Sequence, residues 1–171
     1  MLNDYYLFNI GKNFNSYRSL GAHPLASVDG EGYRFATWAP KAQYVSVVGD
    51  FNNWDTSAHP MALQEDNGIW LTSVENAKVG MCYKYFIVGA DGESRYKADP
   101  FAFKTELRPS EASVLYHLEA FSWEDEDFIE RRSLLDRNNS PMNVYELHIS
   151  SWKRKEDGSL YNFREIAPLL A

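Results

Sequence analysis

One cysteine, Cys82, stands among the 171 residues, so no internal disulfide can form, and no metal-ligand spacing surrounds it. The plain expectation for Cys82 is a small buried strand residue. No run of Lys and Arg occurs, and 17 basic residues face 24 acidic ones, a formal net charge of −7. That balance argues against nucleic acid, which needs a basic face. No apolar stretch approaches the ~20 residues of a membrane span. The opening Met1-Leu2-Asn3-Asp4-Tyr5 lacks the basic and apolar regions of a signal peptide, so the cytoplasm is the expected location, with no membrane partner. What the chain has in plenty is aromatics: 5 Trp, 11 Tyr and 10 Phe, or 15% of the residues. Such a surplus fits a small β core, or flat apolar platforms for sugars, bases or peptides.

The middle of the chain reads as strands and turns. Tyr33–Trp38, Tyr44–Val48, Ile69–Val74, Cys82–Val88 and Ser113–Leu118 are short runs rich in β-branched and aromatic residues. Turn signals at Asp29-Gly30, Gly49-Asp50, Asn67-Gly68, Gly80 and Asp91-Gly92 punctuate them. This pattern predicts an antiparallel sandwich of immunoglobulin-like type. Phe14–Leu20, closed by Gly21, predicts a short N-terminal helix with a C-terminal glycine. Glu124–Leu135, acidic at its start, predicts a second helix, and 137–141 a linker. Beyond Pro141 the sequence predicts a strand over Asn143–Ile149 and a turn at Asp157-Gly158. A helix follows, with Asn162 and Glu165 as a capping box. Its apolar stripe is Phe163, Ile166, Leu169 and Leu170, with Pro168 as a possible kink.

Several ordered motifs carry a resemblance. Leu20-Gly21-Ala22-His23-Pro24, Phe35-Ala36-Thr37-Trp38-Ala39-Pro40-Lys41-Ala42 and Val45–Asp55 resemble the N-terminal region of 1,4-α-glucan (glycogen) branching enzymes. Gly68-Ile69-Trp70, Tyr83-Lys84-Tyr85, Lys97–Ala102, Arg108-Pro109 and Ala112-Ser113 continue it. Val144–Arg154 looks like the first barrel strand and loop of those enzymes, and Tyr161–Glu165 like the start of the first barrel helix. The resemblance implies four parts: an N-terminal helical segment over 1–21, a family 48 carbohydrate-binding β-sandwich over 22–118, a helix and linker over 119–140, and the opening βα unit of a family 13 glycoside hydrolase barrel over 141–171.

Such enzymes work by retaining double displacement, with one carboxylate as nucleophile and a second carboxylic acid as proton donor. A chain hydroxyl then replaces water as acceptor and an α-1,6 branch forms. Those carboxylates belong to later strands of a barrel that needs eight βα units and ~250 residues. The expectation is therefore an N-terminal fragment with no catalytic residue, no cofactor and no metal. Its partners would be α-1,4-glucan, as glycogen or maltooligosaccharides, and the remaining catalytic barrel. Alone it is expected to be inactive. The competing reading is a stand-alone α-glucan-binding regulatory module, like that in the β subunit of AMP-activated kinase. The segment after Val144 argues against it. A weaker third reading is a debranching or trehalose-releasing relative with the same domain order.

Trp54 is the sharpest site candidate. It follows a polar turn, so its ring should lie on a loop and offer a flat face to a glucose ring, with the Asn53 amide bonding hydroxyls. The competing role for Trp54 is packing at the rim of the sandwich or at a domain interface. Lys84 matches a lysine that bonds sugar hydroxyls in glucan-binding relatives, and its alternation with Tyr83 and Tyr85 puts it on the opposite sheet face from them. Its competing role is a solvated strand lysine. Glucan binders of the family often carry a second tryptophan after the Asp-Gly turn. Here Asp91-Gly92 leads to Glu93-Ser94, and Tyr96 is a poor substitute. Trp38 and Trp70 are expected in the core, and Trp152 against the barrel. Glu146 and His148 share a strand face without a second positioned carboxylate, so a structural role is expected of them. His23, His59 and His117 show no ligand spacing, and Glu124–Asp127 reads as a solvated helix start.

Overall fold

The computed structural model describes residues 2–25, 32–64, 67–118, 122–136 and 139–170. The Asp29-Gly30 turn and Arg137-Asn138 of the expected linker lie outside these residues. The chain divides into two compact units, Met1–Ser122 and Trp123–Ala171.

The first unit is mainly β, an immunoglobulin-like antiparallel sandwich. Its elements are a helix α1 (Leu2–Asn9) and strands β1 (Gly21–Pro24), β2 (Tyr33–Trp38), β3 (Tyr44–Gly49), β4 (Ala62–Gln64), β5 (Ile69–Val74), β6 (Cys82–Val88), β7 (Ser94–Lys97), β8 (Lys104–Thr105) and β9 (Ser113–Val114). One sheet runs β1-β2-β5-β4; the other runs β3-β6-β9-β8, with β7 also on β6. Period-2 alternation decides what each strand buries. Tyr33 and Phe35 of β2, Val45 and Val47 of β3, Trp70 of β5, and Tyr83 and Tyr85 of β6 point between the sheets and form the core with Phe51 and Leu115. Trp70 also donates from Nε1 to the Ala39 carbonyl at 3.0 Å.

Four of the five expected strands occupy their predicted ranges, to within one residue at the end of β3. The fifth is shorter: the strand ends at Val114, although Leu115 still bonds Met81 and Gly80 through its backbone.

The N-terminal helix is not where the sequence predicts it. Phe14–Leu20 contains only a single 3-10 turn at Ser16–Arg18, and the helix is α1. Gly21 opens β1 instead of closing a helix. Its φ of +92° and an approach of 3.0 Å from a would-be Cβ to the Phe101 carbonyl exclude a side chain there. α1 is held by tertiary contacts: Tyr5 and Phe8 pack with Leu20, Ala36, Ile69, Leu71 and Phe101 on the outer face of the first sheet.

Trp38 is a second correction. It lies on the α1 side of β2, 49% exposed, with the Phe8 ring edge-on at 5.9 Å. Position explains it: Trp38 ends its strand and shares its sheet face with Ala36, outside the sandwich. Cys82, expected to be buried, is half-buried at the start of β6. Burial pushes its thiol up, with Glu106 and Asp50 adding to the shift.

The second unit holds α2 (Glu126–Ser133), α3 (Ile149–Trp152) and α4 (Phe163–Leu170). In α2, Glu126 and Asp127 occupy the first turn and Arg131 and Arg132 the last, the arrangement that suits the helix dipole. The capping box of α4 is formed as read: Oδ1 of Asn162 accepts from the Arg164 and Glu165 amides at 3.0 Å, and Oε2 of Glu165 accepts from the Asn162 amide at 2.8 Å. Ile166 of the stripe is buried, while Phe163, Leu169 and Leu170 are exposed. The strand expected over Asn143–Ile149 is absent. Residues 141–148 join no ladder, and the one β bridge described in this unit is Arg154 with Leu160. An alternating apolar sequence needs a neighbouring strand to become one, and none is described there. His148 instead contacts the serine hydroxyls of α3, with Nδ1 3.0 Å from Ser150 and 3.1 Å from Ser151. Trp152 donates to the Tyr145 hydroxyl at 2.7 Å.

Candidate binding site

The loop after β3 is built before it is exposed. A 3-10 turn over Asp50–Asn52 sends Phe51 inward, where its ring meets Phe35 at 5.6 Å and His59 at 5.8 Å. Asn52 ties the turn down: its Oδ1 accepts from the Gly49 amide at 2.9 Å, and its Nδ2 donates to the Val47 carbonyl at 3.0 Å. Gly49 allows the close approach, since a Cβ there would collide with the Cys82 carbonyl.

The chain then turns through two left-handed residues, Asn53 at φ 51° and Trp54 at φ 62°. A bulky residue in that region costs roughly 1–3 kcal/mol, and such strain gathers at functional positions. Trp54 is half-buried. Its amide donates to the Gly49 carbonyl at 3.0 Å and its Nε1 to Oδ1 of Asp50 at 3.2 Å. Asp50 does double duty, because its Oδ2 accepts from the Cys82 amide at 2.7 Å. The indole is thus fixed to β6 through one carboxylate. Asn53 is exposed, and its side chain makes no hydrogen bond among the described residues.

Lys84 sits two positions beyond Cys82 on the same outer face of β6, opposite Val48 of β3. The expected separation from Tyr83 and Tyr85 is what the strand shows: both tyrosines are buried inside the sandwich. The side chain of Lys84 is 22% exposed, and its ammonium has one ionic neighbour, Oε2 of Glu111 at 3.9 Å. Glu111 lies in the loop between β8 and β9. With Thr105, Glu106, Arg108, Pro109 and Ser110 it bounds an open pocket of about 440 Å³.

Further along the same face, sequence reasoning passed over an aromatic strip. Phe86 packs against Tyr96 of β7 at 5.2 Å and Tyr44 of β3 at 6.4 Å, and Tyr96 is exposed. The signal was available: once β7 pairs with β6, parity puts Tyr96 opposite Phe86 and beside the row of Lys84. Ser94 stands opposite Val88 on the same strand pair.

One buried carboxylate lies inside the sandwich, away from this face. Oδ2 of Asp99 accepts from the hydroxyls of Tyr83 at 2.7 Å and Tyr85 at 3.2 Å, and Oδ1 accepts from the Phe101 amide at 2.8 Å. Burial raises its pKa against the opposing pull of those donors. Burial, with Asp99 alongside, also pushes both tyrosine hydroxyls up. Fixed, enclosed and far from solvent, this cluster locks β6 to the segment after β7. Among the described residues no group of His, Cys, Asp and Glu could hold a metal ion, and no helix is long and apolar enough to cross a membrane.

A fixed indole and a free amide on the loop, with an ammonium and a tyrosine–phenylalanine pair on the outer face of β6 and β7, are groups that suit a ligand flat and apolar on one side and rich in hydroxyls on its rim. Residues 19–102 match the family Carbohydrate-binding module 48 (Isoamylase N-terminal domain). The chain is 43% identical, over 96% of its length, to the 1,4-alpha-glucan branching enzyme GlgB of Halothermothrix orenii. It is 44% identical over the same share to that of Desulfitobacterium hafniense. It spans 26% of the length of each. Among solved structures, the type I pullulanase of Bacillus subtilis str. 168, determined with maltose, aligns with 61% of this chain and 14% of its own, at 23% identity and a TM-score of 0.49.

Proposed function

We propose, from the match of residues 19–102 to carbohydrate-binding module 48, that the chain is the N-terminal part of a 1,4-α-glucan branching enzyme and that its first unit binds α-1,4-glucan. The observation that carries the binding reading is the Asp50 bridge. It ties the strained Trp54 indole to the start of β6, the strand that also carries Lys84. The indole face stacks on the C–H side of a glucose ring. Lys84 and Asn53 serve the hydroxyls, and Tyr96 extends the apolar floor where a second tryptophan is lacking.

The identity to branching enzymes runs through the second unit as well, which supports this reading over a stand-alone regulatory module. That unit is the opening of the catalytic barrel in this reading, and the acids that transfer glucan chains lie outside these 171 residues. The chain by itself therefore makes no α-1,6 branches. The single free Cys82 accords with a cytoplasmic setting.

Calorimetric titration of the 171-residue chain with maltoheptaose tests the binding reading. Trp54→Ala should weaken binding about tenfold, as loss of one stacked ring does. Lys84→Ala should weaken it less. A wild-type chain that takes up no heat from maltoheptaose, or a Trp54→Ala titration that overlays the wild type, removes the proposal. A rise in α-1,6 linkages when the chain is incubated with amylose removes the claim of inactivity.

A further inference from the structure

Resting on the reading that this face binds α-glucan, we infer that Glu111 is a direct glucan ligand, and that Lys84 and Glu111 grip one sugar hydroxyl between them. Three observations carry this. First, the two groups are separated by 3.9 Å, too far for a hydrogen bond. Two hydrogen bonds of about 2.8 Å meeting at one hydroxyl oxygen, at an angle between about 90° and 110°, hold their outer atoms about 4.0 to 4.6 Å apart. The gap is the size that one bridging hydroxyl fills after a shift of a few tenths of an ångström. That hydroxyl would accept from Nζ of Lys84 and donate to Oε2 of Glu111.

Second, both groups are uncommitted. Neither the Lys84 ammonium nor the Glu111 carboxylate makes a hydrogen bond among the described residues. Glu106, the other carboxylate of the loop, is taken: its Oε2 accepts from the Ala112 amide at 2.9 Å and holds the loop closed beneath Glu111.

Third, the geometry supplies room and reach. Glu111 is 83% exposed at the edge of the 440 Å³ pocket, so a sugar can approach it from solvent. The stem of Lys84 is already packed, so little side-chain freedom is lost on binding. An ammonium and a carboxylate together recognise a hydroxyl as both donor and acceptor, which neither does alone.

The test is maltoheptaose titration of the wild-type chain, Glu111→Ala and Glu111→Gln. The exposed position of Glu111 leaves the fold intact in both variants. Glu111→Ala should weaken binding about fivefold, and Glu111→Gln, whose amide oxygen still accepts, about twofold. If Glu111 only screens the lysine charge, both variants bind more tightly than wild type, and the inference fails. It fails equally if the wild type binds and Glu111→Ala matches it, an outcome that leaves the glucan-binding reading standing. A wild-type chain that does not bind maltoheptaose overturns both together.

Discussion

Gly49→Ala is the substitution that most directly tests how the loop is held. Gly49 pairs with Tyr83 at the end of the β3–β6 ladder. A Cβ on it would fall on the Cys82 carbonyl, 2.9 Å from Cε1 of Phe51 and 3.1 Å from Cα of Tyr83. Two of those three neighbours are backbone, so no side-chain rotation relieves the clash. The strands must part by on the order of 1 Å before ordinary contact returns. Overpacking of this kind costs about 1–3 kcal/mol, and the stretched ladder bond adds about 0.5–1.5 kcal/mol. Alanine stiffens the unfolded chain and returns about 0.4–1 kcal/mol. The net loss is about 2 kcal/mol. Gly92→Ala is the control: nothing lies within 4 Å of its would-be Cβ, and only the φ of +78° resists, a cost of about 1 kcal/mol. Native-state hydrogen exchange of the β3 and β6 amides reads the first unit alone. Protection there should fall roughly thirtyfold for Gly49→Ala and about fivefold for Gly92→Ala. Because Trp54 hangs from the Gly49 carbonyl, maltoheptaose binding should weaken in Gly49→Ala and persist in Gly92→Ala. Equal protection in the two variants would refute the reasoning.

Asp99→Asn tests the buried cluster. Because the folded pKa of Asp99 is raised, its contribution to stability is complete below the usual carboxylate value, near 4, and declines as pH climbs through the folded value. Asparagine cannot titrate. Urea midpoints taken from pH 3 upward should therefore show the wild type losing ground to Asp99→Asn as pH rises; a widening wild-type lead contradicts the assignment. In the second unit, Asn162→Ala removes the acceptor of two α4 amides and should cost about 1 kcal/mol. The α4 amides should then exchange about fivefold faster, and unchanged rates would mean that the cap holds nothing.

The strands were legible because two signals agree in them. β2, β5 and β6 alternate, and each is bounded by a turn residue whose backbone demands it, such as Gly68 at φ 75°. α1 was not legible. Leu2–Asn9 mixes apolar and polar residues without a helical stripe, so nothing in the segment marks a face. Its helix exists because Tyr5 and Phe8 find Leu20, Ile69 and Phe101, partners remote in sequence. The same remoteness hid the surroundings of Trp38. It was expected in the core, but strand parity sets it on the face opposite Phe35, where Phe8 of α1 lies against it. Asn143–Ile149 failed in the opposite way: the pattern of a strand is there, yet a pattern supplies no partner for the backbone.

For the site, the sequence pointed to Trp54, Asn53 and Lys84 as candidates but could not supply what joins them. For Trp54 the missing part is Asp50, which reads as an ordinary turn residue until its two oxygens are seen to serve the indole and the β6 backbone at once. In the proposed binding role this linkage bears on affinity as well as on shape. A loop that must be ordered by its ligand forfeits part of the contact energy to that ordering. Here the ordering is complete beforehand, with Phe51 driven into the core, Asn52 closing the turn on Gly49, and Trp54 held in a left-handed conformation that it would not adopt unaided. The core therefore bears the strain of the site. Packing between Phe35, Phe51 and Tyr83, which reads as mere stability, also anchors the turn from which Trp54 follows.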